Sequence, residues 1–306
     1  MNNLIRTYNQ NRRKFFVIIL VIVAAIILLQ LLNYLTKKNA ENKESSNTTL
    51  ESEYGKNYEA VTGEKKDEVT YRTQTNVIKS FLDACINSDT ESAYNLISND
   101  CKNALYPSIN DFIDGYYTIN FRDKKISYNY QAWSGDTYRI ELRENILSTG
   151  LYSDSAYKED YYTIKGNKVN ISGYVKKEEI NKEIQKQNIT INVENLEYYK
   201  DYLICNISVF NQTDNDILLD SLESPESIVL IDDNAVSFTF YNDAIDESEI
   251  RVYKGQLTQI SLKFNAVYRE NLDIRQIQFN NIIKNYEKYQ SNTLEESDIT
   301  NIEVNI

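Results

Sequence analysis

The side chains in this chain that could do chemistry are carboxylates and tyrosines: Asp83, Asp111, Asp114, Tyr116, Tyr117, Tyr128 and Tyr138. An Asp base beside a Tyr, or beside a carboxyl kept protonated by burial, can abstract a proton next to a carbonyl and hold the resulting enolate. Nothing in the spacing of these seven selects a pair, and the same types serve as solvated carboxylates and core tyrosines. No histidine occurs among the 306 residues. That removes Ser-His-Asp and Cys-His machinery, imidazole acid-base chemistry and His-bearing metal sites. No residue is therefore assigned a catalytic, cofactor-binding or metal-ligating role, and no cofactor is expected.

Two acidic turns, Asp214-Asn215-Asp216 and Asp232-Asp233-Asn234, offer oxygen ligands of the kind calcium takes. They lack the spaced Asp-x-Asp-x-Asp-Gly pattern and read as turns. Three cysteines leave at least one unpaired, and Cys205 falls on the apolar face of a strand pattern. A Cys85–Cys101 bridge would be worth about 3 kcal/mol in the chain-entropy model. Cys85 also lies on the core face of a helix pattern, which favours two buried thiols.

The 45 acidic residues outnumber the 33 basic ones, for a formal net charge of −12. Nucleic-acid binding rests on neutralising phosphates with Lys and Arg, so nucleic acid is excluded as a general partner. Tyrosine dominates the aromatics, 25 against a single Trp. A tyrosine buries a large area while keeping a hydroxyl for hydrogen bonding, which suits a protein-binding surface.

Several elements must position these residues. From Phe15 to Leu35 the chain is free of charge and apolar all round. As a helix it would extend about 31 Å, the thickness of a bilayer core. Arg6, Arg12, Arg13 and Lys14 precede it and Lys37 and Lys38 follow, without an A-x-A-like cleavage site. This predicts a retained transmembrane helix over 15–35, a cytoplasmic tail over 1–14 and the bulk of the chain outside the cell membrane. Residues 36–69, polar and without an apolar face, read as a flexible spacer.

Beyond the spacer, Val77, Ile78, Phe81, Leu82, Cys85 and Ile86 recur at helical spacing. Ser88-Asp89-Thr90 offers a cap for a second helix, and Ser108 to Gly115 bound a third. From Lys125 the period becomes two: Ile126, Tyr128 and Tyr130, then Tyr138, Ile140 and Leu142, with a turn at Ser134-Gly135-Asp136. A second hairpin turns at Gly166-Asn167. Helices first and antiparallel strands after them predict an α+β unit over 70–175. Ile180 and Ile184, at i and i+4, suggest a helical connector over 176–187. Alternating runs such as Leu203, Cys205, Ile207 and Val209 then predict an all-β sandwich over 188–284, followed by a disordered tail over 285–306.

The order of these elements, with Ser98-Asn-Asp, Tyr106-Pro-Ser-Ile-Asn-Asp-Phe and Asp160-Tyr-Tyr-Thr-Ile-Lys-Gly-Asn-Lys-Val, resembles the nuclear transport factor 2-like superfamily over 70–175. That resemblance implies a cone-shaped sheet wrapped over helices, with a cavity at its open end. The pattern from Asn188-Ile-Thr to Phe210-Asn-Gln-Thr is similar to the immunoglobulin-like sandwiches of bacterial envelope proteins over 188–284, without the paired cysteines and buried Trp of antibody domains. Together they resemble the bitopic scaffold subunits of conjugation or secretion machines. The expected function is non-enzymatic binding or scaffolding, with an envelope protein or further copies of the chain as partner and the membrane held by the N-terminal helix. The alternative is a small-ligand binder or isomerase-like enzyme using the cavity of the α+β unit.

Overall fold

In a computed structural model, residues 57–144, 157–224 and 226–306 are described. Three expectations tied to the membrane need correction. The run at 15–35 lies outside the described residues, and among the described residues no helix is long and apolar enough to cross a membrane. The longest of them, 19 residues, carries Glu68, Arg72, Lys79 and Asp83, charges a bilayer core would not accept. The fold class headed by a membrane helix, the single-pass description and the placement outside the cell membrane therefore give way to described residues that are mostly β-sheet.

Helix α1 (Glu68–Ile86) starts where the Asp67 side chain accepts the Thr70 N–H, and it buries Tyr71, Ile78, Phe81, Leu82 and Cys85 along one face. Asp89 caps α2 (Thr90–Leu96), and Ser98 caps α3 (Asn99–Leu105). The Ser98-Asn-Asp segment thus opens a helix that the sequence pattern leaves out. A capping box of Ser108 and Asp111 starts α4 (Ile109–Phe112). The chain does not stop at Gly115: a π-turn at Ile113–Tyr117 carries it into α5 (Thr118–Asn120). The bare Cα of Gly115 faces the Tyr106 ring, where a Cβ would come within 3.4 Å.

Four antiparallel strands follow: β1 (Ile126–Ser134), β2 (Thr137–Glu144), β3 (Tyr157–Lys165) and β4 (Lys168–Asn170), in that spatial order. Gly135 and Gly166 sit at the tips with φ of +52° and +64°, the left-handed region that turns require. Residues from these strands, from α1–α4 and from the π-turn share one hydrophobic cluster, in which Phe81, Phe112, Tyr138 and Tyr162 are fully buried.

A second cluster lies between two further sheets. One sheet runs β12 (Leu257–Phe264), β7 (Leu203–Asn211), β6 (Ile189–Tyr199), β5 (Tyr174–Lys186). The other runs β10 (Ser237–Thr239), β9 (Ile228–Asp232), β13 (Ile274–Ile283), β8 (Ile217–Leu218), β11 (Arg251–Val252), with β14 (Ile299–Asn305) also paired to β13. Short helices α6 (Glu247–Ile250) and α7 (Tyr286–Gln290) fill the connections.

Two further expectations are corrected here. Residues 176–187 form no helical connector; 176–186 belong to β5, where Ile184 pairs with Ile191. An i, i+4 spacing places residues on one face of a strand as well as of a helix, so the isoleucines alone did not decide. Residues 285–306 form α7 and β14, not a disordered tail, and Ile302 and Val304 are buried.

Candidate functional site

The polar cluster with the strongest chemical character is buried in the first half. In β3 the even positions Asp160, Tyr162 and Ile164 face the core, because side chains alternate along a strand. The π-turn brings Tyr116 to the same place. Its hydroxyl donates to Asp160 Oδ2 at 2.8 Å and lies 2.5 Å from the Tyr162 hydroxyl. Asp160 Oδ1 accepts the Tyr161 N–H at 2.7 Å, and Oδ2 accepts that of Ser172 at 3.4 Å. Tyr106 and Ser172 share a hydrogen bond of 2.7 Å beside this group.

Burial pushes the Asp160 carboxyl up to about 6, against the opposing pull of its hydrogen-bond donors and the Lys158 charge. Burial, followed by the Asp160 charge, holds the Tyr116 and Tyr162 hydroxyls well above the ordinary phenol range. An Asp–Tyr–Tyr group of this kind has the donor set needed to hold an oxyanion. Here the set is closed. Phe81, Phe112 and Phe121 pack on the Tyr116 ring, and Tyr116, Asp160 and Tyr162 are all buried.

One recess, of about 210 Å³, has a lining that includes Asn120, Lys124, Ile126, Leu142 and Lys158. Neither Asp160 nor the two tyrosines line it. Asn120 stands between them: its amide accepts from Lys158 Nζ at 2.7 Å and donates to the Tyr116 carbonyl at 2.9 Å.

Of the seven side chains singled out from sequence, Tyr116 alone joins this cluster. Asp83 and Tyr128 form a separate pair, the Tyr128 hydroxyl donating to Oδ1 at 3.0 Å. Burial and then the Asp83 charge raise that phenol. Asp111 accepts the Ser108 N–H within the capping box, Asp114 is exposed, and the Tyr117 hydroxyl donates to Ser88 at 2.9 Å. Tyr138 donates to Gln74 Oε1 at 2.7 Å, and Gln74 also accepts from Lys66 and donates to Asp136. Sequence reasoning missed Asp160. The signal available was its parity: an acid sharing the inward register of Tyr162 and Ile164.

The acidic turns are closed by protein groups. Asp232 accepts the N–H groups of Asn234 and Val236 and pairs with Arg269, while Asp216 pairs with Arg251.

No family model and no curated protein matches this chain. It is similar to a conserved hypothetical protein from Bacillus anthracis, whose crystal structure was determined at 2.2 Å. The likeness covers 32% of this chain and 95% of that one, at 12% identity and a TM-score of 0.23. So weak a likeness carries no argument about fold or function.

Proposed function

We propose that this chain works by binding another protein or further copies of itself, and that it does not turn over a substrate. The observation that carries the reading is the closure of the Asp160 cluster. Asp160, whose carboxyl burial raises, has its oxygens taken by Tyr116, Tyr161 and Ser172 inside a packed core. A general base must reach the proton it removes within about 3 Å, or through one water. Among the described residues, the recess that reaches Asn120 is not lined by Asp160, Tyr116 or Tyr162. Such networks instead fix one packing arrangement of a core.

The test is chemical crosslinking of the full chain in the cells that make it, followed by re-association of the purified components. Asp160→Asn and Asp83→Asn should leave the captured complex and the cellular role intact. Loss of the role in Asp160→Asn, with folding and capture unchanged, would favour the rival small-ligand or isomerase-like reading.

A further inference from the structure

Strand β1 is an edge of its sheet and carries no charged residue in nine: Ile-Ser-Tyr-Asn-Tyr-Gln-Ala-Trp-Ser. A quarter of the chain is charged. The longest edge strand, β5, is guarded by Lys176, Lys177, Glu178, Glu179, Lys182 and Glu183, and again by Lys186. Charged side chains on an edge keep other strands away, and an uncharged edge lacks that protection.

The β1 edge is already met at one end by backbone donors from a turn. A strap at 57–66, closed by the Tyr58–Lys65 bridge, donates the Ala60 N–H to the Ala132 carbonyl at 3.0 Å and the Val61 N–H to the Trp133 carbonyl at 3.1 Å. Upstream of these contacts, among the described residues, no backbone group extends the sheet beyond Ile126–Gln131. The Tyr130 N–H is held at 3.0 Å by the side-chain oxygen of Asn129, one residue away. That oxygen occupies the place of an incoming carbonyl. With the outward Ala132 carbonyl, it fixes the parity of the edge: the backbone groups of Ile126, Tyr128 and Tyr130 point away from β2.

We propose that the outer edge of β1 is a strand-addition interface through which two copies of this chain pair antiparallel. The proposal rests on the binding reading above and gives it a surface. A two-fold contact sets a segment against itself, so any charge near its centre meets a like charge. Strand β1 has none to oppose. The outward backbone groups of Ile126, Tyr128 and Tyr130 are centred on Tyr128, which sets Tyr128 opposite its counterpart and Ser127 opposite Asn129 of the second copy. Both of these side chains lie on the face of the sheet away from the core, where Ser127 is exposed.

Sedimentation of the full chain tests the proposal, with Ser127→Lys/Asn129→Lys as the variant. Wild type should form a dimer, and the two lysines should weaken it at least about tenfold, because like charges directly opposite oppose pairing. In a second arm, Ser127→Cys chains mixed with Asn129→Cys chains should form a disulfide-linked pair. The three native thiols are buried, so they do not compete. If the lysine variant fails to fold, this arm decides alone. A dimer indifferent to the lysines and without the crosslink overturns the edge proposal and leaves the binding reading standing. So does a chain that stays monomeric yet captures a different protein, whereas a monomer that captures nothing overturns both.

Discussion

Tyr198 and Tyr199 are consecutive residues of β6 that enter different cores. Tyr198 belongs to the cluster between the two later sheets and meets the Tyr268 ring edge-on at 6.0 Å. Tyr199 belongs to the helix-backed cluster, against Tyr174 at 5.4 Å and stacked on Tyr202 at 4.4 Å. Tyr174 and Val175 divide between the clusters in the same way. Strand alternation thus makes β5 and β6 a wall common to both cores. We expect Tyr199→Ala to lower stability by about 3 kcal/mol or more, the cost typical of truncating a buried aromatic. Urea unfolding followed by Trp133 fluorescence, which reports the first half, should coincide with far-UV circular dichroism. Two separated transitions would show that the cores unfold independently.

The thiols give a second expectation. Cys85, Cys101 and Cys205 are all buried and unpaired, and burial pushes the Cys101 thiol up to about 12 and the other two higher still. A thiol reagent should label none of them in the folded chain at neutral pH and all three in urea. Protection of two cysteines in urea without reductant would reveal a Cys85–Cys101 bridge.

Much of the local structure was legible because it rests on short-range rules. The α1 face from Val77 to Ile86, the caps at Asp89 and Ser108 and the glycine turns at 135 and 166 are written in spacing and residue type. What was lost depended on contacts between distant segments. Ile180 and Ile184 fit helix and strand alike, and only the pairing of β5 along β6 decides between them. The tail was masked by its Asn, Glu and Ser content, although Thr300, Ile302 and Val304 alternate and are buried against β13. The Asp160 cluster joins a strand residue to Tyr116, 44 positions away, through a π-turn that no periodicity predicts.

Asp111 separates a structural acid from a functional one. Its carboxylate takes the Ser108 N–H and hydroxyl at the start of α4, and it is exposed. Asp111→Asn should cost no more than about 1 kcal/mol, the usual range for a capping contact. Association measured by sedimentation should be unchanged. A loss of association with the melting temperature preserved would make Asp111 a binding residue.

Asp160 should be visible in the pH dependence of stability. Its folded-state proton affinity, about 6, exceeds the ordinary 3.8, so the folded chain holds this proton more tightly than the unfolded chain. The stabilisation from this group is full below about pH 4 and is lost as pH rises through about 6, an effect on the order of 3 kcal/mol. Asp67, Asp89, Asp216 and Asp298 act in the opposite sense, because hydrogen bonds hold their carboxyls below the ordinary range. The Asp160 contribution therefore has to be read as a difference between two proteins. Asp160→Asn keeps an oxygen to accept from Tyr116 but turns an amide group toward the Tyr161 N–H, and losing that one contact adds a pH-independent cost of about 1 kcal/mol on which the titration of wild type is superimposed. Between pH 4 and 7 wild type should lose stability relative to the variant, with the difference changing steadily across that window. Urea unfolding at half-unit pH steps measures it. A difference constant with pH would mean that Asp160 titrates near its ordinary value, and that water reaches a cluster that the packing of Phe81, Phe112 and Phe121 shuts off.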